Sequence, residues 1–226
     1  IFKKKLWFNL MNNEIYKRIF SSFLLIPFSV FFIIKGSFFF IFFLLICFLI
    51  TSYEWYMMSK KKKFSLIGYI FLSFSFYSVI ELRNNFQGDY FYLLLITTIC
   101  VATDIGGYIF GKTFKGPKLT KISPNKTYSG MIGGFFLSII LSSIFINNFN
   151  FIQKKIEFTI EIFFIVLLVS AVSQIGDIVI SYFKRLSKIK NTGKIIPGHG
   201  GLLDRIDGMI FAFPFSYIIL SLNPLI

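Results

Sequence analysis

The sequence predicts an all-α fold, a polytopic integral membrane helical bundle with about seven transmembrane helices. Of the 226 residues, 55% are hydrophobic, and the mean hydropathy is +0.73. A soluble domain of this length buries its core with fewer apolar residues, so the excess must face something other than water. Several apolar runs also reach the roughly 20 residues that a helix needs to cross a bilayer.

Seven apolar runs account for the predicted spans, and each is bounded by charged or turn-forming residues. Their extents are about 15–34, 38–58, 64–80, 90–110, 130–146, 158–182 and 206–222. No soluble domain and no internal repeat is evident between them. We therefore expect a single integral membrane domain over residues 1–226, with the chemistry-bearing motifs between residues 90 and 215.

Basic residues alternate between rich and poor connections, and this alternation predicts the orientation. The rich connections precede the first span and follow the second, fourth and sixth, whereas the others hold only Lys35, Arg83 and the pair 154–155. The positive-inside rule then places the N-terminus and every rich loop in the cytoplasm. Outside the motifs, the net charge of +14 is explained by topology and lipid headgroup contact rather than by nucleic-acid binding.

The segment 176–207 concentrates the side chains that can do chemistry. It contains Asp177, Asp204 and Asp207, the only histidine, His199, and a run of bases between the acids. Carboxylates bind hard cations through oxygen, and bases bind phosphate. Together they predict metal-assisted chemistry on a phosphate compound at the edge of a membrane.

Asp177 lies near the inner end of the sixth predicted span, in SQIGDIVIS. An acid there is costly unless it is paired, solvated or metal-bound. Ser181 follows at the next turn of a helix, and Lys184 or Arg185 follows at the turn after that, so these residues share one face. A cation near Asp177 and a phosphate near Lys184 fit this order. The alternative is a structural ion pair between Asp177 and a lysine.

The stretch 197–201 predicts a loop, because proline and glycines break a helix there. Gly200 and Gly201 let backbone amides approach an anion closely. His199 is either a hydrogen-bonding residue of this loop or a phosphate contact and proton donor.

Asp204 and Asp207 follow this loop, with Arg205 between them. We expect the two acids to stand at positions i and i+3 at the start of the seventh span, on one face of the helix. For either acid alone, the alternative is a favourable interaction with the helix dipole.

Two earlier segments add polar residues. Asp104 lies late in the fourth span, in VATDIGGYIFGK, whose glycines predict either a smooth helix face or a break that admits a close neighbour. In ISPNKTYSG, a turn leads into the fifth span, and Ser123, Lys126 and Thr127 are candidate phosphate contacts. The alternative for this turn is a plain helix cap with an interfacial Tyr128.

Three separated segments resemble the bacterial phosphatidate cytidylyltransferase family, also called CDP-diglyceride synthase. They are TDIGGYIFGK, SPNKTYSG and a C-terminal signature that reads SYFKR, IKN and PGHGGLLDRID, so the resemblance covers about residues 90 to 215. Two departures stand out. The family's lysine–aspartate pair is Lys190–Asn191 here, and its stretch of lysine, lysine, threonine, tryptophan and glutamate reads NKTYS over residues 125–129.

The resemblance implies an enzyme that transfers a cytidylyl group from CTP to phosphatidate, giving CDP-diacylglycerol and pyrophosphate. It implies Mg²⁺ as cofactor, with Asp177 and Asp204 as ligands and Asp207 in support. The other residues expected to be catalytic are Lys184, Arg185, His199 and Arg205. The residues expected to bind substrate are Asp104, Ser123, Lys126, Thr127, Ser181, Gly200 and Gly201.

The expected partners are CTP, phosphatidate in the bilayer, membrane lipid and a possible homodimer, with no nucleic acid. The expected location is the bacterial inner (cytoplasmic) membrane, with the active site facing the cytoplasm. Two other functions remain open. A CTP-dependent lipid-alcohol kinase would transfer the γ-phosphoryl group to a hydroxyl. A transporter of a phosphorylated solute would predict broken helices in two repeated halves, and no such repeat is evident.

Overall fold

The computed structural model describes residues 27–60, 62–84, 90–150, 158–196 and 200–222. Within these ranges the chain is helical, with two isolated β-bridges and no strand. The prediction of an all-α protein is therefore confirmed. The helices in chain order are α1 (27–35), α2 (Ser37–Ser59), α3 (Ser65–Asn84), α4 (Phe91–Phe114), α5 (Tyr128–Asn150), α6 (Ile160–Leu186), α7 (Leu203–Ile206) and α8 (Met209–Leu222).

Five of the described helices, α2 to α6, are long and apolar enough to cross a membrane. Their 20 to 27 residues suit the roughly 30 Å hydrocarbon core of a bilayer. The chain is thus a multi-pass membrane protein. The helix α8 has 14 residues and contains Pro214, so it is shorter than the span expected over 206–222. The first expected span begins outside the described residues, and the count of seven stays a prediction.

Large apolar side chains project outward along these helices. Phe38 is 74% exposed, Leu66 is 70% exposed and Ile132 is 63% exposed. In water, exposed apolar area is unfavourable by about 25 cal/mol per Å². In a bilayer the same side chains contact lipid, so this exposure agrees with the membrane assignment.

Several helices extend beyond the apolar runs that predicted them. The third span was expected to end at about residue 80, but α3 continues to Asn84. Similarly, α4 ends at Phe114 and α6 at Leu186, about one turn later than expected. The reason is that charged residues near a helix end can extend to the membrane interface, so the backbone stays helical where the hydropathy falls.

The chain forms two compact units, and each is described by itself. The first unit comprises the described residues of Ile1–Tyr69 and Ile189–Arg205, and the second those of Ile70–Lys188 and Ile206–Ile226. The helix α2 belongs to the first unit. So do the described residues of the loop within the C-terminal signature, 191–196 and 200–204, which we call the signature loop. The helices α4, α5, α6 and α8 belong to the second. The single domain over 1–226 stays a prediction.

In the second unit, α4 and α5 pack together through glycines, as the smooth face of α4 predicted. A Cβ atom added at Gly130 would lie 2.7 Å from the carbonyl oxygen of Gly107, and one at Gly106 would overlap the carbonyl of Gly133. The two backbones approach this closely only because these residues lack side chains. This contact brings together two of the elements that carry candidate site residues.

The helix α6 is central to the second unit because it packs against α4, α5 and α8. A hydroxyl pair connects it to α4: the Oγ1 atom of Thr103 and the Oγ atom of Ser170 are 2.7 Å apart, and both residues are buried. Gly176 admits α8, since a Cβ atom there would lie 2.7 Å from the ring of Phe211. Asp177 therefore lies on a helix that contacts α4, α5 and α8.

Candidate active site

A cavity of about 330 Å³ in the second unit brings together half of the predicted site residues. They come from α4, from the turn before α5, from α6 and from the turn before α8. The predicted residues that line it are Asp104, Ser123, Lys126, Thr127, Asp177, Ser181 and Asp207. Side chains that are far apart in the sequence thus share one polar space among apolar helices.

Asp177 forms an ion pair with Lys126. The Nζ atom of Lys126 is 2.7 Å from the Oδ2 atom of Asp177, and it also donates to the carbonyl oxygen of Gln174 at 3.4 Å. The side chains of Lys126 and Asp177 are 28% and 14% exposed. The sequence analysis kept an ion pair with a lysine as the alternative for Asp177, and this pair is present.

The second carboxylate oxygen of Asp177 is unsatisfied. Its Oδ1 atom is buried and has no hydrogen-bond partner among the residues that the structure describes. A Cβ atom at Gly208 would lie 2.8 Å from this oxygen, so a glycine is needed for the turn before α8 to pass so near. A buried acceptor without a partner costs about 1–3 kcal/mol. Such an oxygen is suited to a hard cation.

Asp207 lies beside Asp177, in the turn between α7 and α8. Burial raises the pKa of the Asp207 carboxyl well above its ordinary value, and the negative charge of Asp177 raises it further. Lys184 opposes these effects, with its Nζ atom 3.7 Å from the Oδ2 atom of Asp207. Two carboxylates this close need a proton or a cation between them.

The donor set of the second unit fits Mg²⁺. This ion is usually held by one or two carboxylates, and it completes its octahedral shell with waters and substrate phosphates. Asp177 and Asp207 supply two carboxylates, and the unsatisfied Oδ1 atom of Asp177 supplies an open acceptor. Among the described residues, no group of three or more His, Cys, Asp or Glu side chains could hold a metal ion by itself.

Asp204 is placed differently from the prediction. It lies in α7, a single turn of helix, whereas α8 begins only at Met209. The expected i and i+3 relation to Asp207 on one long helix was wrong. The reason is local: the backbone N–H of Gly208 donates to the Oδ1 atom of Asp207 at 3.2 Å, and such bonds compete with helix continuation.

In the first unit, Asp204 organises the signature loop. Its Oδ2 atom accepts the backbone N–H of Thr192 at 2.8 Å and that of Gly201 at 3.1 Å. Gly200 has a φ of 92°, and a Cβ atom there would lie 2.9 Å from the same oxygen. The backbone of Ile196 exchanges two hydrogen bonds with that of Gly200. The predicted loop is confirmed for these residues, whereas His199 lies outside the described residues.

Glu54 is the functional candidate that the sequence analysis missed. It lies in the last two turns of α2 in the first unit and is 1% exposed. Its carboxylate accepts hydrogen bonds from Thr192, Leu202 and Leu203, all in the signature loop. The signal was available, since an acid inside an apolar run is as costly here as at Asp177. The lysines that follow α2 were interpreted only as evidence for the membrane orientation.

The predicted bases are distributed over different surfaces. Lys184 contacts Asp207, whereas Arg185 lines a separate groove of about 510 Å³ together with Lys121. Adjacent residues of a helix point about 100° apart, so Lys184 and Arg185 cannot face the same place. Arg205 lies in α7 and is exposed, in the first unit.

Thr127 caps α5 as well as lining the cavity. Its Oγ1 atom accepts the backbone N–H of Gly130 at 3.1 Å. Just before it, the backbone N–H of Lys126 donates to the carbonyl of Ser123 at 3.0 Å and closes a turn. The helix cap that the sequence analysis kept as an alternative is therefore present, and it directs the side chain of Lys126 toward α6.

The fold and the site define a class: a multi-pass helical membrane protein with paired acids and bases in a cavity among its helices. A model of the cytidylyltransferase family matches residues 64–223. The chain belongs to this family, as the signature segments predicted.

Curated relatives agree with the family model. The chain is 38% identical over 160 residues to the phosphatidate cytidylyltransferase of Bacillus subtilis (strain 168), covering 70% of this chain and 58% of that protein. It is 36% identical over 214 residues to that of Rickettsia felis (strain ATCC VR-1525 / URRWXCal2), covering 92% of each. It is 35% identical over 182 residues to that of Staphylococcus aureus (strain COL), covering 76% of this chain and 66% of that protein.

Proposed function

We propose that this protein is an enzyme that transfers the cytidylyl group of CTP to phosphatidate, forming CDP-diacylglycerol and pyrophosphate. The observation that carries the proposal is the cavity in which Asp177, Lys126 and Asp207 meet. Paired acids and bases in an apolar surrounding suit a reaction between two anions. The curated relatives bear the name of this activity.

The reaction joins two negatively charged phosphates. An oxygen of the phosphatidate phosphate attacks the α-phosphorus of CTP, a new P–O bond forms, and the bond to the β-phosphate oxygen breaks. Pyrophosphate leaves with that bond's electron pair. A phosphate monoester is already ionised near neutral pH, so no general base is required. The demand on the protein is to bring like charges together and to neutralise them.

Asp177 and Asp207 would hold Mg²⁺ in this site. When bound, the ion would neutralise charge on the phosphates and polarise the phosphorus centre. Asp204 stays a predicted ligand, although the two backbone amides on its Oδ2 atom already explain its place in the first unit. The acids that line the cavity in the second unit are Asp104, Asp177 and Asp207.

Lys126 and Lys184 are the bases that stand beside these acids. An ammonium group has three donors, and Lys126 uses two of them on Asp177 and on the carbonyl of Gln174. A phosphate oxygen can accept the third. The Nζ atom of Lys184 stands 3.7 Å from the Oδ2 atom of Asp207.

The remaining lining residues would orient the nucleotide. Ser123, Thr127 and Ser181 supply hydroxyl groups, and Asp104 supplies a carboxylate on the opposite wall, from α4. Arg205, His199 and the glycines of the signature loop stay predicted contacts for phosphate. Arg185 would attract the lipid headgroup from its own groove.

The reaction is assigned to the cytoplasmic face of the bacterial inner membrane. CTP is a cytosolic compound, and phosphatidate is anchored in the bilayer. The basic loops, including the one that carries Lys126, are those that the positive-inside rule places in the cytoplasm. A homodimer stays a prediction.

The decisive test uses purified protein in detergent with phosphatidate and CTP labelled at either the α- or the γ-phosphate. We expect label in the lipid only from α-labelled CTP, and only when Mg²⁺ is present. Asp177→Asn is the matched inactive control. Transfer of the γ-label to a lipid alcohol would support the kinase instead. Absence of both transfers by the folded protein would refute the proposal.

A further inference from the structure

We infer that Glu54 is a positioning residue that holds the described residues of the signature loop, 191–196 and 200–204, in the shape required for cytidylyl transfer. The inference rests on the proposed function only for its catalytic consequence. The structural part stands on contacts within the first unit. Glu54 and its loop partners are 138 to 149 residues apart in the sequence, and three hydrogen bonds connect them.

The carboxylate of Glu54 accepts three hydrogen bonds from the loop. Its Oε1 atom accepts the backbone N–H of Leu202 at 2.9 Å. Its Oε2 atom accepts the backbone N–H of Leu203 at 2.8 Å and the hydroxyl of Thr192 at 2.9 Å. Hydrogen bonds to an ionised group are about twice as strong as neutral ones. One side chain on a membrane helix thus holds both ends of the loop.

The loop backbone is shaped to approach this carboxylate. A Cβ atom added at Gly193 would lie 2.6 Å from the Oε1 atom of Glu54, and one at Gly201 would lie 2.7 Å from its Cδ atom. Neither position has room for a side chain. Glycine at these two places is therefore explained by the close passage of the loop over Glu54, in addition to any contact with an anion.

Glu54 and Asp204 restrain the same residue from two sides. Thr192 donates its hydroxyl to Glu54 and its backbone N–H to Asp204. Without Glu54, the segment that carries Asp204 and Arg205 would lose three of the hydrogen bonds that hold it. A displacement of about 1 Å in a reacting group can lower a rate by about a hundredfold.

An amide cannot replace this carboxylate. Both oxygens of Glu54 act as acceptors, so Glu54→Gln places an N–H₂ group against at least one loop donor. The substitution keeps size and shape and changes only the charge and the hydrogen bonding. It is therefore the sharpest variant for separating the proposed role from simple packing.

The experiment compares wild type, Glu54→Gln and the matched control Thr51→Val in detergent. Thr51 lies one turn earlier on α2 and is 0% exposed, and its hydroxyl bonds only to carbonyls of its own helix. Two quantities are measured: hydrogen–deuterium exchange of peptides covering residues 191–206, and kcat and KM for CTP.

We expect Glu54→Gln to speed exchange in the loop and to lower kcat by about a hundredfold, with a much smaller change in KM. Thr51→Val should leave the loop exchange and kcat at wild-type values. Wild-type exchange in Glu54→Gln, or an equal loss of kcat in both variants, would overturn the inference.

Two further arms keep the outcomes separate. If Glu54→Gln does not fold, Thr192→Val removes one of the three bonds and should lower kcat, whereas Thr192→Ser keeps the hydroxyl and should restore it. Equal rates in these two variants would overturn the inference. If the wild type transfers no cytidylyl group, the proposed function fails, and the exchange experiment alone decides whether Glu54 holds the loop.

Discussion

The ion pair between Lys126 and Asp177 gives the most informative perturbation. Lys126→Met removes the ammonium group and keeps most of the side chain's volume. The structure then leaves both oxygens of Asp177 without a donor, because the Oδ1 atom already lacks one. Asp177 is 14% exposed, so water can compensate only a little for the lost bond.

The magnitude follows from this geometry. Removing one partner of a fully buried ion pair costs about 3–5 kcal/mol. The Lys126 side chain is 28% exposed, so we expect a smaller loss of unfolding free energy, about 1–3 kcal/mol. Asp177→Asn should cost a similar amount. The double variant should be more stable than the sum of the two single losses predicts, because it leaves no unpaired charge.

Activity should behave differently from stability. The double variant, Lys126→Met with Asp177→Asn, should regain part of the stability and none of the activity. It lacks both the ammonium group that donates to phosphate and the carboxylate of Asp177. We expect Lys126→Met to lower kcat/KM by about 10²–10³-fold, the effect of losing one donor to developing charge. The assays are thermal unfolding in detergent and cytidylyl transfer from α-labelled CTP. Additive stability losses would refute the ion-pair reasoning, and near-normal kcat/KM would refute the role of Lys126.

Three further predictions test the packing, the orientation and the departure from the family pattern. Gly106→Ala should destabilise the protein strongly, because the added Cβ atom would overlap the backbone of α5. Gly107→Ala should be tolerated, because its added Cβ atom would lie 3.8 Å from the carbonyl oxygen of Gly130. Thermal unfolding of both variants checks this. Ser123→Cys, in a background without the native cysteines, should react with an impermeant thiol reagent from the cytoplasmic side only, and labelling from the opposite side would overturn the orientation. Asn191→Asp should change the transfer rate less than about tenfold, or 1.4 kcal/mol of barrier, because Asn191 is exposed in the loop. An inactive wild type rescued by this aspartate would mean that the site requires the missing carboxylate.

The membrane fold followed from the sequence because it depends on composition over long windows. A helix that crosses a bilayer must be apolar over about 20 residues, and no packing detail changes that requirement. The glycine face of α4 was also readable, since Gly106 and Gly107 leave one helix surface without side chains. The ends of the helices were less certain, because α3 and α6 remain helical past the apolar residues.

Only the tertiary structure decided which charges meet. Helical periodicity predicts neighbours within one helix, and it correctly placed Asp177 and Ser181 along α6, on one cavity. It cannot predict that Lys126, 51 residues earlier, forms an ion pair with Asp177. That choice depends on how closely α4, α5 and α6 pack.

The residue types of the site were determined by the sequence, and their partners were determined by the fold. Asp177, Asp204 and Asp207 are chemically equivalent, and the sequence alone predicted Asp177 and Asp204 as Mg²⁺ ligands with Asp207 in support. The structure distinguishes them by their donors: backbone amides for Asp204, and lysine side chains for Asp177 and Asp207. Glu54 was missed for the same physical reason. A buried charge is stabilised by whichever donors the fold brings to it, and these come from 138 or more residues away.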